Sequence, residues 1–297
     1  MSKLCDGSFN RAIESSVSAY LGKPFTIESI LANETGAMHD AALFRSDGYS
    51  AFVKLGTNPF SPDQFRQEAW GLRYVASHSP VKAPDVVGVV ETDGAVLLIL
   101  EAIDTKPVET KKDWEALGRG LATLHRSTWH RCGLQTHSYL GVFRQDNRPM
   151  DTWPEFFGER RLADTMKMAV DAGHMSPQQC RPVERLIDRL PQLCGPEQPF
   201  SLLHGDPWPG NLLYDGQQLV VIDCGIYYGN REIDLSTVDF FYPVPEHFFA
   251  AYNEAYPIDP GYMQRKPLWQ INQWLGHVTL FGQEYIPKLM DAINRYL

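Results

Sequence analysis

The sequence predicts an α+β protein with two lobes, a small N-terminal lobe built on an antiparallel sheet and a larger, mainly helical C-terminal lobe. Strand-like runs separated by Asp-Gly turns fill most of the first third of the chain. Apolar residues at helical spacing dominate from Asp113 onward, and one short strand-turn-strand segment interrupts them at 201–223. We therefore place the two lobes at residues 1–102 and 103–297.

The composition excludes several classes of protein. The chain of 297 residues is 43% hydrophobic, as expected for a globular protein, and its net charge of -9 disfavours binding to nucleic acids or anionic membranes. No segment reaches the roughly 18 consecutive apolar residues of a spanning helix. Five cysteines without C-x-x-C spacing are typical of reduced thiols. We expect a cytoplasmic monomer without nucleic-acid or membrane partners.

The N-terminal lobe is predicted to begin with an amphipathic helix and a three-stranded meander. The helix is expected at 9–21 and the strands at 25–31, 41–45 and 49–55. Gly36 lies in the polar loop between the first two strands, where a nucleotide kinase carries its phosphate-covering loop. One glycine alone favours an ordinary hairpin loop, whereas the position of this loop before Lys54 favours the phosphate-covering loop.

Lys54 alternates with apolar residues in the third strand, so its ammonium group requires a partner. The next helix is predicted to start at Ser61-Pro62, and Glu68 falls beside its apolar face. We expect a Lys54–Glu68 ion pair that directs the lysine toward nucleotide phosphates. After two further strands, the backbone groups of Glu101 and Ile103 are expected to bind the adenine edge of ATP; the alternative is an ordinary crossover between the lobes.

The segment 201–223 carries the predicted catalytic chemistry. Asp206 follows a short apolar strand, Asn211 comes five residues later, and Asp223 ends the strand after the Asp215-Gly216 turn. Phosphoryl transfer needs a carboxylate that accepts a hydroxyl proton and oxygen ligands for Mg²⁺. We assign Asp206 as the proton acceptor, and Asn211 and Asp223 as ligands of the Mg²⁺ bound to ATP.

The motifs LLHGDPWPGN, IDCGIYYGNRE and LFGQEY resemble the fructosamine-3-kinase (ketosamine kinase) family, within the aminoglycoside-phosphotransferase and protein-kinase-like superfamily. The chain departs from the family pattern at Cys224, Gly225, Asn230 and Leu280. The resemblance implies a bilobal protein-kinase-like fold and ATP-dependent phosphorylation of the 3-hydroxyl of ketosamines such as fructosamine or ribulosamine, a deglycation role.

Further residues take their expected roles from the resemblance. It places Trp208, Tyr228, Glu232 and His277 on the side of the acceptor, a small sugar-amine that is either free or attached to a glycated protein. In related kinases, the counterparts of His125 and Asp234 are structural, and the aspartate braces the catalytic loop. We also expect Asp234 to cap the helix that follows it.

Two other functions remain compatible with the residues. The first is a kinase for a different small hydroxyl compound, such as an aminoglycoside, choline or another sugar. The second is a nucleotide-binding pseudokinase, although retention of Lys54, Asp206, Asn211 and Asp223 argues against it.

Overall fold

The protein divides into two compact units. A computed structural model describes residues 3–33, 39–92 and 94–297. The first unit comprises Met1–Pro107 and Leu213–Asp223, and the second comprises Val108–Leu212 and Cys224–Leu297. The predicted single boundary after residue 102 differs from this division, because the first unit also includes a later segment. Lys82 holds that segment, since its carbonyl accepts from the Val221 amide at 3.0 Å and its Nζ donates to Asp215 at 3.1 Å.

The first unit contains a five-stranded antiparallel sheet and two helices. The strands are β1 (Ser29–Asn33), β2 (Asp40–Ser46), β3 (Tyr49–Gly56), β4 (Val86–Thr92) and β5 (Ala95–Glu101), in the spatial order β1-β2-β3-β5-β4. The helices are α1 (Asn10–Leu21) and α2 (Ser61–His78). A buried cluster that includes Ile13, Val17, Phe44, Val53 and Ile99 joins α1 to the sheet.

Strand β1 begins four residues later than its predicted start at Phe25. The Phe25 amide donates to Ser18 Oγ and the Ile27 amide donates to Glu14 Oε1, each at 2.9 Å. Side chains of α1 therefore satisfy these backbone groups, and pairing with the sheet starts only beyond them. Helix α2 buries the predicted face, which is formed by Phe65, Ala69, Leu72 and Val75.

The second unit is mainly helical. Its α-helices are α3 (Lys111–His125), α4 (Trp153–Phe157), α5 (Asp164–Asp171), α6 (Pro177–Leu193), α7 (Glu232–Val238), α8 (Glu246–Ala255), α9 (Tyr262–Trp269), α10 (Ile271–Phe281) and α11 (Ile286–Asn294). A π-helical segment at Gly158–Ala163 connects α4 to α5. No helix of the described ranges has both the length and the apolar character needed to cross a membrane.

Short strands position the loops of the second unit. Strands β6 (Thr128–Trp129), β9 (Phe200–Leu203) and β12 (Tyr227–Gly229) form a sheet in the order β12-β9-β6. Strands β7 (Ser138–Leu140) and β8 (Phe143–Gln145) form a hairpin within the polar segment 135–152. Strands β10 (Leu212–Tyr214) and β11 (Leu219–Val221) pair across the predicted Asp215-Gly216 turn, and all of their residues except Leu212 belong to the first unit.

Candidate active site

Lys54 and Glu68 form the ion pair expected from the sequence. Strand β3 carries Lys54 and α2 carries Glu68, and the Lys54 Nζ to Glu68 Oε1 distance is 2.7 Å. Both side chains are nearly buried, with 10% and 12% exposure. Lys54 also donates to Asp223 Oδ1. The first unit therefore brings together three of the predicted site residues around one ammonium group.

Asp223 follows β11 in an unusual backbone conformation. Its φ of 54° is the only positive φ of a non-glycine residue among the described positions. Such a conformation costs free energy and persists where the surrounding structure enforces it, most often at functional sites. The Asp223 side chain is 40% exposed, so a carboxylate oxygen is accessible to a ligand.

The remaining nucleotide-binding predictions concern backbone groups. The Glu101 amide donates to the Asp85 carbonyl at 2.8 Å, so this N–H is not available to adenine. The proposed adenine contacts are thereby limited to the Glu101 carbonyl and the Ile103 backbone. Gly36 lies outside the described residues.

The catalytic loop of the second unit connects β9 to β10. The Asn211 Nδ2 donates to the Asp206 carbonyl at 3.0 Å and to Asp206 Oδ2 at 3.3 Å. These two predicted site residues are therefore in direct contact. Asn211 is 5% exposed, and its contacts with Asp206 use the amide nitrogen and leave the amide oxygen for a ligand.

The environment of Asp206 makes its carboxylate a stronger base. Burial, and secondarily the nearby Asp234 carboxylate, raise the pKa of Asp206 to about 7, although the hydrogen bond from Asn211 lowers it. A carboxyl group with a pKa near neutrality is suited to accept a proton from a hydroxyl group. The position of Asp206 depends on Gly205, which has φ +87°, and a Cβ on that glycine would lie 2.4 Å from the Gly225 carbonyl oxygen.

Asp234 braces the catalytic loop, as the resemblance implies. Its Oδ2 accepts from the His204 amide at 2.7 Å and its Oδ1 accepts from the Gly205 amide at 3.2 Å. The prediction that Asp234 caps the following helix is wrong, because α7 already begins at Glu232. Its carboxylate binds the loop amides instead of the amides of its own helix.

A chain of buried hydrogen bonds supports Asp234 from behind. His125 lies 3.1 Å from Asp234 Oδ2 through Nε2 and 2.7 Å from the Tyr252 hydroxyl through Nδ1. Arg231 Nη1 donates to the same hydroxyl at 3.1 Å. Burial lowers the pKa of His125, so the neutral imidazole donates from Nε2 and accepts from Tyr252 at Nδ1. The structural role expected for His125 is consistent with these contacts.

The structure does not place Glu232 or Tyr228 as exposed acceptor contacts. Glu232 is 1% exposed and accepts from Arg265 Nε at 2.9 Å, Arg265 Nη2 at 2.6 Å and Trp269 Nε1 at 2.9 Å. Tyr228 is 5% exposed and lies in β12, opposite Leu202 of β9. Glu232 therefore has a structural role, since both of its oxygens already have protein partners.

Trp208 and His277, the other predicted acceptor residues, belong to one group of rings. The Trp208 ring covers Gly210, where an added Cβ would lie 2.1 Å from it, and its centroid is 6.4 Å from that of Phe241. His277 Nδ1 donates to the Gln273 carbonyl at 2.7 Å. Five rings surround His277 at centroid distances of 5.1 to 5.7 Å, those of Phe240, Phe241, Trp274, Phe281 and Tyr285.

Several supporting residues have no local signal in the sequence. Arg231, Tyr252 and Arg265 are distant along the chain from the groups that they hold. A buried arginine is rare without a partner, yet burial of these side chains is not visible from their sequence neighbours.

The sheet-bearing first unit, the helical second unit and the Asp206–Asn211 loop define a protein-kinase-like phosphotransferase. The Fructosamine kinase family profile matches residues 9–297, and the chain belongs to this family. The predicted family, fold class and hydroxyl-directed phosphotransferase activity are thereby confirmed.

Known relatives match the chain along most of its length. The chloroplastic protein-ribulosamine 3-kinase of Arabidopsis thaliana is 30% identical, with coverage of 93% of this chain and 85% of the relative. The crystal structure of a fructosamine-3-kinase homologue from Thermobifida fusca has a TM-score of 0.82 and 30% identity, covering 96% of this chain and 98% of the other. Aminoglycoside phosphotransferase APH(4)-Ia, solved with ADP and hygromycin B, shares the fold alone, with a TM-score of 0.63, 15% identity and coverage of 96% and 99%.

Proposed function

We propose that the protein transfers the γ-phosphoryl group of ATP to the 3-hydroxyl of a ketosamine, a reaction that serves deglycation. Family membership supports the substrate class. The 3-position is supported by the name of the Arabidopsis relative, a protein-ribulosamine 3-kinase. The single structural observation that carries the proposal concerns the half-buried carboxylate of Asp206. It accepts a hydrogen bond from Asn211, and its pKa is about 7.

Asp206 has the properties of the proton acceptor in this reaction. Its carboxylate would orient the acceptor hydroxyl and take its proton as the oxygen attacks the γ-phosphorus of ATP. The hydrogen bond from Asn211 Nδ2 fixes one carboxylate oxygen of Asp206. Asp234 accepts from the backbone amide of His204 and so holds the loop on the N-terminal side of Asp206. These contacts keep the base in place before the acceptor binds, and preorganisation of this kind lowers the barrier.

The other predicted residues are proposed to bind the nucleotide. Lys54, held by Glu68, would neutralise charge on the α- and β-phosphates of ATP. The carboxylate of Asp223 and the amide oxygen of Asn211 are hard oxygen donors of the kind that Mg²⁺ prefers, so the residues fit this ion. Bound Mg²⁺ would supply positive charge against the phosphate oxygens.

Trp208 and His277 are proposed to form the wall against the acceptor. Aromatic rings pack well on the apolar faces of sugars, and a few polar groups then select the hydroxyl positions. The acceptor is proposed to be a small sugar-amine bound by a monomer in the cytoplasm, without nucleic-acid or membrane partners.

The test is phosphorylation of a substrate panel by the purified protein. With ATP and Mg²⁺, we expect turnover of fructosamines and ribulosamines, with phosphate found at O3 by NMR. Asp206→Asn should keep its fold, checked by circular dichroism, and should lower kcat by about 10² or more. Turnover restricted to aminoglycosides or free sugars would disprove the ketosamine assignment, and unchanged kcat in the variant would disprove the role of Asp206.

A further inference from the structure

Two phenylalanine rings of the second unit form an exposed apolar surface. Phe241 follows α7 and Phe281 ends α10, and these residues are 45% and 59% exposed. Both rings lie 5.6 Å from the ring of His277, measured between centroids, so they belong to one group. Isolated apolar residues are common at protein surfaces, whereas connected ones mark binding surfaces. We refer to these two rings as the Phe241–Phe281 surface.

The Phe241–Phe281 surface continues to the catalytic loop. The centroid of the Phe241 ring is 6.4 Å from that of Trp208, and the two rings are nearly perpendicular, at 79°. Trp208 comes two residues after Asp206, the proposed proton acceptor. An acceptor that packs on Trp208 and His277 therefore has the exposed ring of Phe241 beside it.

The part of a ketosamine that extends beyond the sugar is the substituent on its amine nitrogen. This nitrogen is attached to C1, and the hydroxyl that is phosphorylated in the proposed reaction is on C3 of the same carbon chain. Trp208 and His277 are half-buried, whereas Phe241 and Phe281 are exposed and offer more apolar area to a ligand. The sugar on the first pair of rings thus leaves the second pair for the amine substituent.

The charged groups at this surface disfavour a second cation on the substituent. Lys288 Nζ lies 5.2 Å from the centroid of the Trp274 ring and 5.6 Å from that of Tyr285, two further rings of the group. The carboxylate of Asp239, which follows α7, is paired with Lys266 at 2.6 Å. Aromatic faces attract cations, and Lys288 already takes this position, so another ammonium group would meet a like charge.

We propose that the Phe241–Phe281 surface binds an uncharged hydrocarbon substituent on the amine nitrogen of the ketosamine. This inference rests on the proposed function and narrows its substrate to ketosamines of apolar amines. Affinity would come from apolar area that both the substituent and the exposed rings remove from water. A substituent that ends in an ammonium group gains less, because its charge must remain hydrated beside Lys288.

The experiment compares three 1-deoxy-1-alkylamino-D-fructoses, in which the nitrogen carries a methyl, a butyl or a 4-aminobutyl group. From methyl to butyl, kcat/KM should rise about tenfold, mainly through a lower KM, and the calorimetric Kd should fall in parallel. The 4-aminobutyl compound should lose most of this gain. Equal values for the methyl and butyl compounds, or equal gains for butyl and 4-aminobutyl, would overturn the inference.

Variants assign the gain to the two rings. Phe241→Ser and Phe281→Ser should each reduce the butyl-to-methyl ratio of kcat/KM to about threefold, and the double variant should bring it close to one. Phe241→Leu keeps an apolar side chain and should retain most of the ratio. Because each ratio compares two substrates on one preparation, a partly unfolded variant does not alter it.

Met263→Ser is the matched control, since Met263 is a 67% exposed apolar residue on α9. It should keep the full ratio of about ten. A ratio that stays at the wild-type value in the double phenylalanine variant, or that falls equally in the control, would contradict the assignment.

The two proposals can fail separately. Absence of phosphorylation of every ketosamine would disprove the proposed function, while calorimetry with the methyl and butyl compounds would still decide whether the surface binds apolar substituents. Phosphorylation of both compounds at equal kcat/KM would preserve the function and overturn the surface inference.

Discussion

Replacing Arg265 by methionine tests whether Glu232 is structural. Arg265 donates two hydrogen bonds to this carboxylate, at 2.9 and 2.6 Å, and the Glu232 side chain is 2% exposed. Removing the arginine leaves a buried carboxylate with Trp269 Nε1 as its remaining donor among these contacts. Loss of one partner of a buried ion pair costs about 3 to 5 kcal/mol. We therefore expect Arg265→Met to lower the free energy of unfolding by that amount.

A double-mutant cycle isolates the ion pair from other effects of the substitution. Glu232→Gln removes the charge but can still accept from Trp269, so we expect a loss of about 1 to 3 kcal/mol. The double variant should be more stable than the sum of the single effects, because the buried charge at position 232 is gone; Asp259, the other partner of Arg265, loses it in both backgrounds. Arg148→Met is a control, since Arg148 is exposed and should matter by only about 0.5 kcal/mol.

The assay is urea unfolding followed by circular dichroism, together with KM for the ketosamine at saturating ATP. If Glu232 is structural, Glu232→Gln should lower the free energy of unfolding without selectively raising KM for the ketosamine. The reasoning would be refuted if Arg265→Met cost less than about 1 kcal/mol, or if Glu232→Gln raised KM while its stability stayed unchanged.

Three further predictions concern the support of the catalytic loop. Asp234→Asn should lower kcat with little change in KM for ATP, and should lower the free energy of unfolding in urea by about 3 kcal/mol. The reason is that one amide group cannot accept all the hydrogen bonds that Asp234 receives from His204, Gly205 and His125. Full activity of the variant would contradict the bracing role. Gly205→Ala should reduce kcat and stability, since its Cβ would meet the Gly225 carbonyl at 2.4 Å, whereas Gly276→Ala, with nothing within 4 Å, serves as the control for stability. Burial lowers the pKa of His125 in the folded state, so the unfolded state binds the additional proton as the pH falls. The contribution of His125 to stability is therefore fully present above the unfolded pKa of about 6.5. Below that pH it decreases by at most about 1.4 kcal/mol per pH unit. As the pH falls from 7 to 5, the unfolding free energy of His125→Asn should fall less than that of the wild type, or rise, because the raised pKa of Asp206 acts in the opposite direction. An unchanged slope would contradict this origin.

Local patterns predicted the elements that carry the site. The alternation around Lys54 and the Ser61-Pro62 helix start placed β3 and α2 nearly correctly, and their ion pair followed from the need of a buried lysine for a carboxylate. The Asp215-Gly216 turn similarly predicted the β10–β11 pairing. In these cases, residues close in sequence determine the geometry.

Predictions that depended on distant contacts were less complete. Tyr228 and Glu232 were expected to face the acceptor, yet strand pairing and the Arg265 ion pair bury them. Strand β1 starts late because α1 supplies partners for the preceding amides. Local patterns do not indicate the β7–β8 hairpin, since three-residue strands leave little periodicity to detect.

By itself, the sequence determined the chemistry of this protein: the order of the strands and helices, the loop with Asp206 and Asn211, and membership in a kinase family. Only the tertiary structure decided which charged side chains are available to ligands and which are used to hold the fold. Glu232 and Asp223 illustrate the difference, since both are acidic, yet the Glu232 side chain is 2% exposed and held by Arg265, whereas the Asp223 side chain is 40% exposed. The physical reason is that burial and ion pairing depend on residues far away along the chain, which local sequence patterns do not specify.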